Sequence, residues 1–427
     1  MSKRKQGPRP AWYDKRVALI LQGGGALGSY QAGVYEALAG SEYSPSWVAG
    51  ISIGAVNAAI IAGNPPESRV SRLQEFWEGI TEPTVPWPYL SGELCATLQR
   101  RFGALTALLL GQPGFFRPYS PFDWFIGARP IAYYDTTALK NTLERLVDFG
   151  RINACETRFS VAAVNVETGN FSYFDNAEIT IRPEHVMASA ALPPGFPPVE
   201  IDGELYWDGG LVSNTPLQYV LSYYPRRSLL AFQVDVFPAR GRVPHSLDDA
   251  AEREKDIRYS SRTRTGTDSF RTMHEIRYHL NALLARLPED IKHGPDVEFL
   301  RQFACVTTMD IAQLIYRPAE VQGSFKDYDF NRSSMRERWA AGMADAQATL
   351  AAAPWLEPIP PHVGTRTFDV ALNRRAVGAP LLAWASNEIA EPAKPPPAPV
   401  TSGDGTPRPV LGNAGRSAGE SSAPLST

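Results

Sequence analysis

Ser52 stands between two glycines in Gly50-Ile51-Ser52-Ile53-Gly54, the Gly-x-Ser-x-Gly spacing of a nucleophile elbow. A serine on a sharp strand-to-helix turn is held in strained backbone angles. A side chain at either flanking glycine would collide with the neighbouring strand and helix. The hydroxyl then lies at a helix N-terminus, where the local field favours negative charge. The flanks fit this reading. Ser46-Trp47-Val48-Ala49 leads in as a short buried strand, and Ala55-Val56-Asn57-Ala58-Ala59-Ile60-Ile61-Ala62 leads out as a tightly packed helix with Gly63 as its C-cap. The pentapeptide also fits a purely structural turn, and a chain with 34 glycines offers many chances for one.

A serine hydroxyl is a poor nucleophile until a base takes its proton, and the attacked ester then needs donors for its oxyanion. Gln22-Gly23-Gly24-Gly25-Ala26-Leu27-Gly28 offers those donors. Successive glycines after a strand let backbone N–H groups turn inward as an anion-binding nest at a helix N-terminus. The loop also satisfies Gly-x-Gly-x-x-Gly, so a dinucleotide site has to be weighed. That fingerprint wants an acidic residue about 20 positions on, at the end of the second strand. Here the second strand runs into Gly50 and Ser52 instead, and Glu42 falls early, in a loop. A Walker-type phosphate loop is excluded, because no Gly-Lys-Ser/Thr is present.

The candidate base is Asp208 in Trp207-Asp208-Gly209-Gly210. It ends a hairpin strand and enters a glycine turn, which presents a carboxylate at the edge of a sheet. An aspartate there also commonly does no more than bond turn amides. Four histidines, His245, His274, His279 and His293, follow Asp208, so a Ser-Asp-His order is available as well.

The elements that must position these groups form a parallel, doubly wound pattern. Val17-Ala18-Leu19-Ile20-Leu21 reads as a fully buried strand, followed by the glycine loop, a helix from about Ser29 to Ala39, and the elbow. Two hairpins follow: Phe159–Val166 turning near Thr168-Gly169 into Phe171–Phe174, and Val199–Ile201 turning at Asp202-Gly203 into Glu204–Trp207. A further strand is expected at Leu229–Val236. The arginine-rich stretch from about Ala250 to Leu287 and the segment Ser334–Ala352 read as helices. The expected organisation is a basic N-terminal tail at 1–14, a catalytic domain at 15–237 with a Pro- and aromatic-rich insertion at 82–129, a mainly helical extension at 238–390, and a disordered Pro/Ala/Gly/Ser-rich tail at 391–427. Such an insertion either covers a ligand groove or packs as an irregular excursion.

Composition narrows the function classes. The 427 residues carry a net charge of −3, which argues against a dedicated nucleic-acid binder. Cys95, Cys155 and Cys305 are far apart and lack metal-ligand spacing, so neither a disulfide framework nor a metal is expected, nor any cofactor. No apolar run reaches the roughly 18–20 residues that span a bilayer. The expectation is a soluble, cytoplasmic protein. Its basic tail and its basic amphipathic helix are candidates for peripheral contact with the inner membrane surface.

Three ordered blocks, the Gln22–Gly28 loop, the Gly50–Gly54 elbow and Asp208-Gly209-Gly210, resemble the patatin-like phospholipase family over about residues 15–237. The run Ala188-Ser189-Ala190-Ala191-Leu192-Pro193-Pro194-Gly195-Phe196-Pro197-Pro198 is similar too. The resemblance implies a three-layer α/β/α sandwich with a mostly parallel central sheet. It implies a lipid acyl hydrolase acting on a lipid or acyl-ester substrate through a Ser-Asp dyad without histidine. Ser52 would be the nucleophile and Asp208 the base, with amides of Gly23, Gly24, Gly25, Ala26, Leu27 and Gly28 as the oxyanion hole. Many members of the family carry Arg or Lys where this chain has Leu27, which bears on headgroup preference. The segment from about Arg253 to Ala346 looks like the C-terminal extension of a bacterial patatin-like subgroup, to which the resemblance assigns no chemistry. The alternatives are a Ser-His-Asp esterase and a catalytically idle lipid-binding or scaffold protein on the same fold.

Overall fold

The computed structural model describes residues 9–81, 103, 106–119, 131–260, 263–318, 322–359 and 363–371. The expected tail at 391–427, most of the insertion at 82–129 and the first eight residues lie outside the described residues.

Val17–Leu21 has no polar side chain, as befits a strand covered on both faces. It forms β1 (Arg16–Leu21) near the middle of a nine-stranded sheet. Alternation along β1 sends Val17, Leu19 and Leu21 into one hydrophobic core and Ala18 and Ile20 into a second, on the opposite face. The other strands of the sheet are β2 (Trp47–Gly50), β5 (Arg158–Asn165), β6 (Phe171–Asp175), β7 (Val199–Ile201), β8 (Glu204–Asp208), β9 (Leu229–Asp235), β10 (Met309–Ile315) and β11 (Thr365–Phe368). A two-residue pair, β3 (Arg117–Pro118) with β4 (Tyr134–Asp135), stands apart.

The strand order is β11-β10-β9-β1-β2-β5-β8-β7, with β6 also paired to β5. From β11 to β5 all neighbours are parallel, while β6, β7 and β8 are antiparallel additions. The chain leaves β1 toward β2 on one side and returns to β9 on the other. A crevice therefore opens beyond the carboxyl ends of β1, β2 and β9, the place where open α/β sheets bind ligands. The Asp202-Gly203 turn has positive φ at both residues, 52° and 88°, as a two-residue hairpin needs.

The segment after residue 237 is more than a helical appendage. Its helices Leu247–Tyr259, Thr263–Ala285, Pro295–Arg301 and Arg332–Ala352 are joined by two strands, β10 and β11, that continue the parallel sheet beyond β9. Sequence reasoning had no strand there, and it ran Leu247–Tyr259 and Thr263–Ala285 together as one helical stretch. Helix Arg332–Ala352 packs directly on helix Ser29–Ala39. Their backbones approach so closely that a Cβ on Gly33 would lie 1.9 Å from the Trp339 carbonyl oxygen, and one on Gly342 would lie 2.0 Å from that of Tyr30. The β10 strand is pinned from the other end of the chain. The fully buried Asp310 accepts Lys15 Nζ at 2.7 Å and Arg366 Nε at 2.8 Å, joining β10 to β11 and to the lead-in of β1.

Candidate active site

Ser52 sits at the β2-to-helix turn with φ 56° and ψ −127°, a conformation that non-glycine residues seldom adopt. Helix Ile53–Ala62 starts immediately after it. The surrounding contacts hold the strain. A Cβ on Gly50 would stand 2.2 Å from the Gly54 carbonyl oxygen, and a Cβ on Gly54 would stand 2.4 Å from that of Leu21. Both elbow glycines are therefore demanded by backbone approach. The Ser52 amide is taken up by Ser189, whose carbonyl and hydroxyl oxygens lie at 3.1 and 3.2 Å.

Asp208 ends β8 beside Ala163 of β5 and reaches the same crevice. Its Oδ1 accepts the Gly210 amide at 2.7 Å, and its carboxylate shares the cleft with the Ser52 side chain. The residue is only 1% exposed. Burial pushes its carboxyl up to about 7, against the lowering effect of the Gly210 amide and the Ser52 hydroxyl. A carboxyl in that range is half ionised near neutrality, as general-base work requires. Gly209 is a contact glycine, since a Cβ there would lie 2.7 Å from the Ala162 carbonyl oxygen.

The glycine loop contributes unequally. The amides of Gly23, Ala26 and Leu27 already donate to the carbonyls of Asn214, Asp327 and Gly24 at 3.2, 2.8 and 3.1 Å. Gly28 packs its Cα against Ile53 and Trp77. Among the described residues, the amides of Gly24 and Gly25 have no protein acceptor, and both residues line the cleft. Gly24 and Gly25 are thus the loop residues that combine a place in the cleft with an amide free of acceptors among the described residues. Leu27 is fully buried in the core and does not face the cleft.

Ser52, Asp208, Gly210 and Gly23–Gly25 share one cleft. Its walls are mostly apolar: Ile53, Phe115, Phe116, Leu192, Phe196, Phe237 and Phe330. Phe116 packs against Phe196 and Tyr134 with ring centroids 5.3 and 4.9 Å apart. The described part of the insertion therefore serves as cleft wall, and the remainder lies outside the described residues.

The histidines are elsewhere. His274 is stacked on Phe270 and bonded to the Thr307 carbonyl, and burial lowers its pKa. His279 meets Tyr278, His293 lies 3.9 Å from Glu289, and the His245 amide is bonded to Asp249. None of these four lines the cleft that holds Ser52.

Two family models match the chain. One, described as "Patatin-like phospholipase", covers residues 19–221, and the other, described as "Patatin phospholipase", covers residues 257–362. The chain belongs to the patatin-like phospholipase family. No curated protein matches it. Among solved structures it is similar to VipD from Legionella pneumophila at 12% identity and a TM-score of 0.35, with 79% of this chain and 67% of that one covered. It is similar to human GIVD cytosolic phospholipase A2 at 11% identity and a TM-score of 0.35, with 79% and 59% covered. The type III effector protein ExoU is similar at 14% identity and a TM-score of 0.28, with 81% and 53% covered. The chain thus spans between about half and two thirds of the length of these structures.

The chain supports this cleft with side chains that sequence reasoning did not assign a role. Gln22 Oε1 accepts the amides of Val236 and Phe237 at 2.7 and 3.0 Å, while its Nε2 reaches Thr215 and the Tyr259 carbonyl. Asn214 Nδ2 bridges the carbonyls of Gly23 and Tyr259 at 3.0 and 2.9 Å. Asp327, Tyr328 and Phe330 reach the cleft from beyond the second family match's midpoint in the chain. Gln22 and Ser189 lie inside motifs visible in the sequence. Asn214 six residues after Asp208 carries a weak signal, and the 327–330 group carries none, because only the tertiary fold brings it to the cleft.

Proposed function

We propose that the protein is a lipid acyl hydrolase that cleaves carboxylic esters through Ser52 and Asp208. The observation that carries this reading is the placement of the Ser52 side chain and the buried Asp208 carboxylate in one apolar cleft, beside two amides without acceptors among the described residues. Family membership supplies the lipid substrate class. In the first half-reaction the Asp208 carboxylate takes the Ser52 proton as Oγ attacks the ester carbonyl carbon. The carbonyl oxygen becomes an oxyanion held by the Gly24 and Gly25 amides. The tetrahedral species collapses as Asp208 returns the proton to the departing alcohol, leaving an acyl-Ser52 ester. In the second half a water gives its proton to Asp208 and attacks that ester. The carboxylic acid leaves, and Ser52 recovers its proton. The aromatic walls suit an acyl chain, since they gain contact with apolar surface and leave no polar group unpaired.

The test is hydrolysis of a panel of short esters, triacylglycerols and phospholipids by the wild type and Ser52→Ala, together with labelling by a fluorophosphonate. Equal labelling of the two proteins would remove Ser52 from the reaction. A wild type silent on the whole panel would favour a catalytically idle lipid-binding protein. Loss of all turnover in one folded histidine variant would favour a Ser-His-Asp esterase.

A further inference from the structure

The extension after residue 237 reaches the glycine loop at both peptide groups of Ala26, the residue that follows Gly25. The Ala26 amide donates to the Asp327 carbonyl at 2.8 Å. That same oxygen fills the space beside Gly25, where a Cβ would lie 2.3 Å away and where φ is 54°. The Ala26 carbonyl accepts Nη1 of Arg338 at 3.4 Å. The Arg338 guanidinium also holds the Asp329 carbonyl at 2.8 Å, the Lys326 carbonyl at 3.1 Å and Asp329 Oδ2 at 3.0 Å. One rigid fork thus ties the glycine loop to both sides of the residue whose carbonyl it leans on.

Helix Leu247–Tyr259 secures the segment 324–327. Lys326 is buried with its ammonium 3.1 Å from Glu252 and 2.5 Å from Asp256, and Lys255 bonds the Ser324 carbonyl and Asp327 at 2.8 Å each. Arg338 itself is 1% exposed, and its Nε has no partner among the described residues. Replacing both members of a buried ion pair by apolar side chains is often neutral, so the Arg338–Asp329 pair is a poor source of net stability. What the guanidinium offers here is fixed geometry at several acceptors at once.

We infer that Arg338 is a positioning residue for the oxyanion site, holding Ala26 so that the Gly24 and Gly25 amides stay turned toward the ester attacked by Ser52. The extension thereby completes the active site that the first half of the chain begins. The inference rests on the Ser52 reading above. It concerns the chemical step, since Arg338 does not line the cleft.

The experiment compares wild type, Arg338→Met, Arg338→Lys and Ser52→Ala. It measures kcat and KM on a soluble short-chain ester, and affinity for two probes. A long-chain trifluoromethyl ketone adds Ser52 to give a hemiketal oxyanion, whereas a long-chain alkyl ether binds without reacting. The expected result for Arg338→Met is a loss of about 10²-fold in kcat and in ketone affinity, as for a loosened preorganised site. KM and ether affinity should stay within about twofold of wild type, as expected when only transition-state contacts are lost. Arg338→Lys should recover part of the loss, because one amine replaces a fork. It carries the test alone if the methionine variant does not fold. Ketone and ether affinities that fall together, or a kcat that falls only with the folded fraction, would overturn the inference while leaving Ser52 in place. A wild type that forms no ketone adduct and turns over no ester would sink both.

Discussion

The Asp208 carboxylate lines the same cleft as the Ser52 side chain from a position almost wholly sealed from water, and burial lifts that carboxyl to about 7. The two residues come from opposite ends of the catalytic half, yet β2 and β8 both pair with β5 and bring them together. A base acts only when ionised, so turnover should be low at pH 5 and rise through a single ionisation near pH 7. A profile of kcat/KM against pH checks this. In Asp208→Asn turnover should be lost by about three orders of magnitude or more, as for other bases that act as a unit with their nucleophile.

The same burial opposes folding. The Asp208 carboxyl ionises near 3.9 when unfolded and near 7 when folded. The folded state therefore binds the extra proton between these values, and stability from this group falls as pH rises through that window. The penalty is absent below pH 4 and complete above pH 7, at most about 4 kcal/mol by linkage. Asp208→Asn removes the ionisation. Its melting temperature should exceed that of the wild type at pH 8, and the gap should close as pH is lowered toward 4. A constant gap across that range would show that Asp208 is not held in this way.

The site was legible in the sequence where chemistry and backbone geometry coincide. Gly50 and Gly54 are forced by an elbow whose close contacts leave no room for a Cβ on either side of Ser52, so the pattern carries the fold with it. Asp208 was legible because a hairpin strand ending at two glycines is visible locally. The sequence does not say which amides of the Gly23–Gly28 loop the fold has already claimed. The strands β10 and β11 are not visible in the sequence because Thr365–Phe368 is short, and Asp310, second in β10, looks like a surface residue. Its partners, Lys15 and Arg366, lie 295 and 56 residues away, beyond any local pattern.

Asp310 supplies a third prediction. Asp310→Ala leaves Lys15 and Arg366 facing each other's charge at a buried site. Breaking one member of a buried ionic group costs about 3–5 kcal/mol. The denaturation midpoint in urea should drop accordingly, with little change in the slope. Removal of everything after residue 237 should be worse. It strips β10 from β9 and helix Arg332–Ala352 from helix Ser29–Ala39, exposing a sheet edge and an apolar helix face. The truncated chain should not give a cooperative unfolding transition by circular dichroism.

Phe116 closes the argument from cleft shape to substrate. It is 3% exposed, touches Phe115, Phe196, Phe330 and Tyr134 through ring contacts, and faces the cleft that holds Ser52. Phe116→Ala removes a wall and leaves Ser52, Asp208 and the free amides in place. Lost contact with an acyl chain is worth about 1–3 kcal/mol. The variant should therefore lose about 10- to 100-fold in kcat/KM on long-chain esters. Short esters that do not reach this wall should change by less than about threefold, within ordinary context effects. The measurement is kcat/KM across a series of acyl lengths for both proteins. Parallel losses at every length would mean that Phe116 supports the fold of the cleft and does not contact the chain.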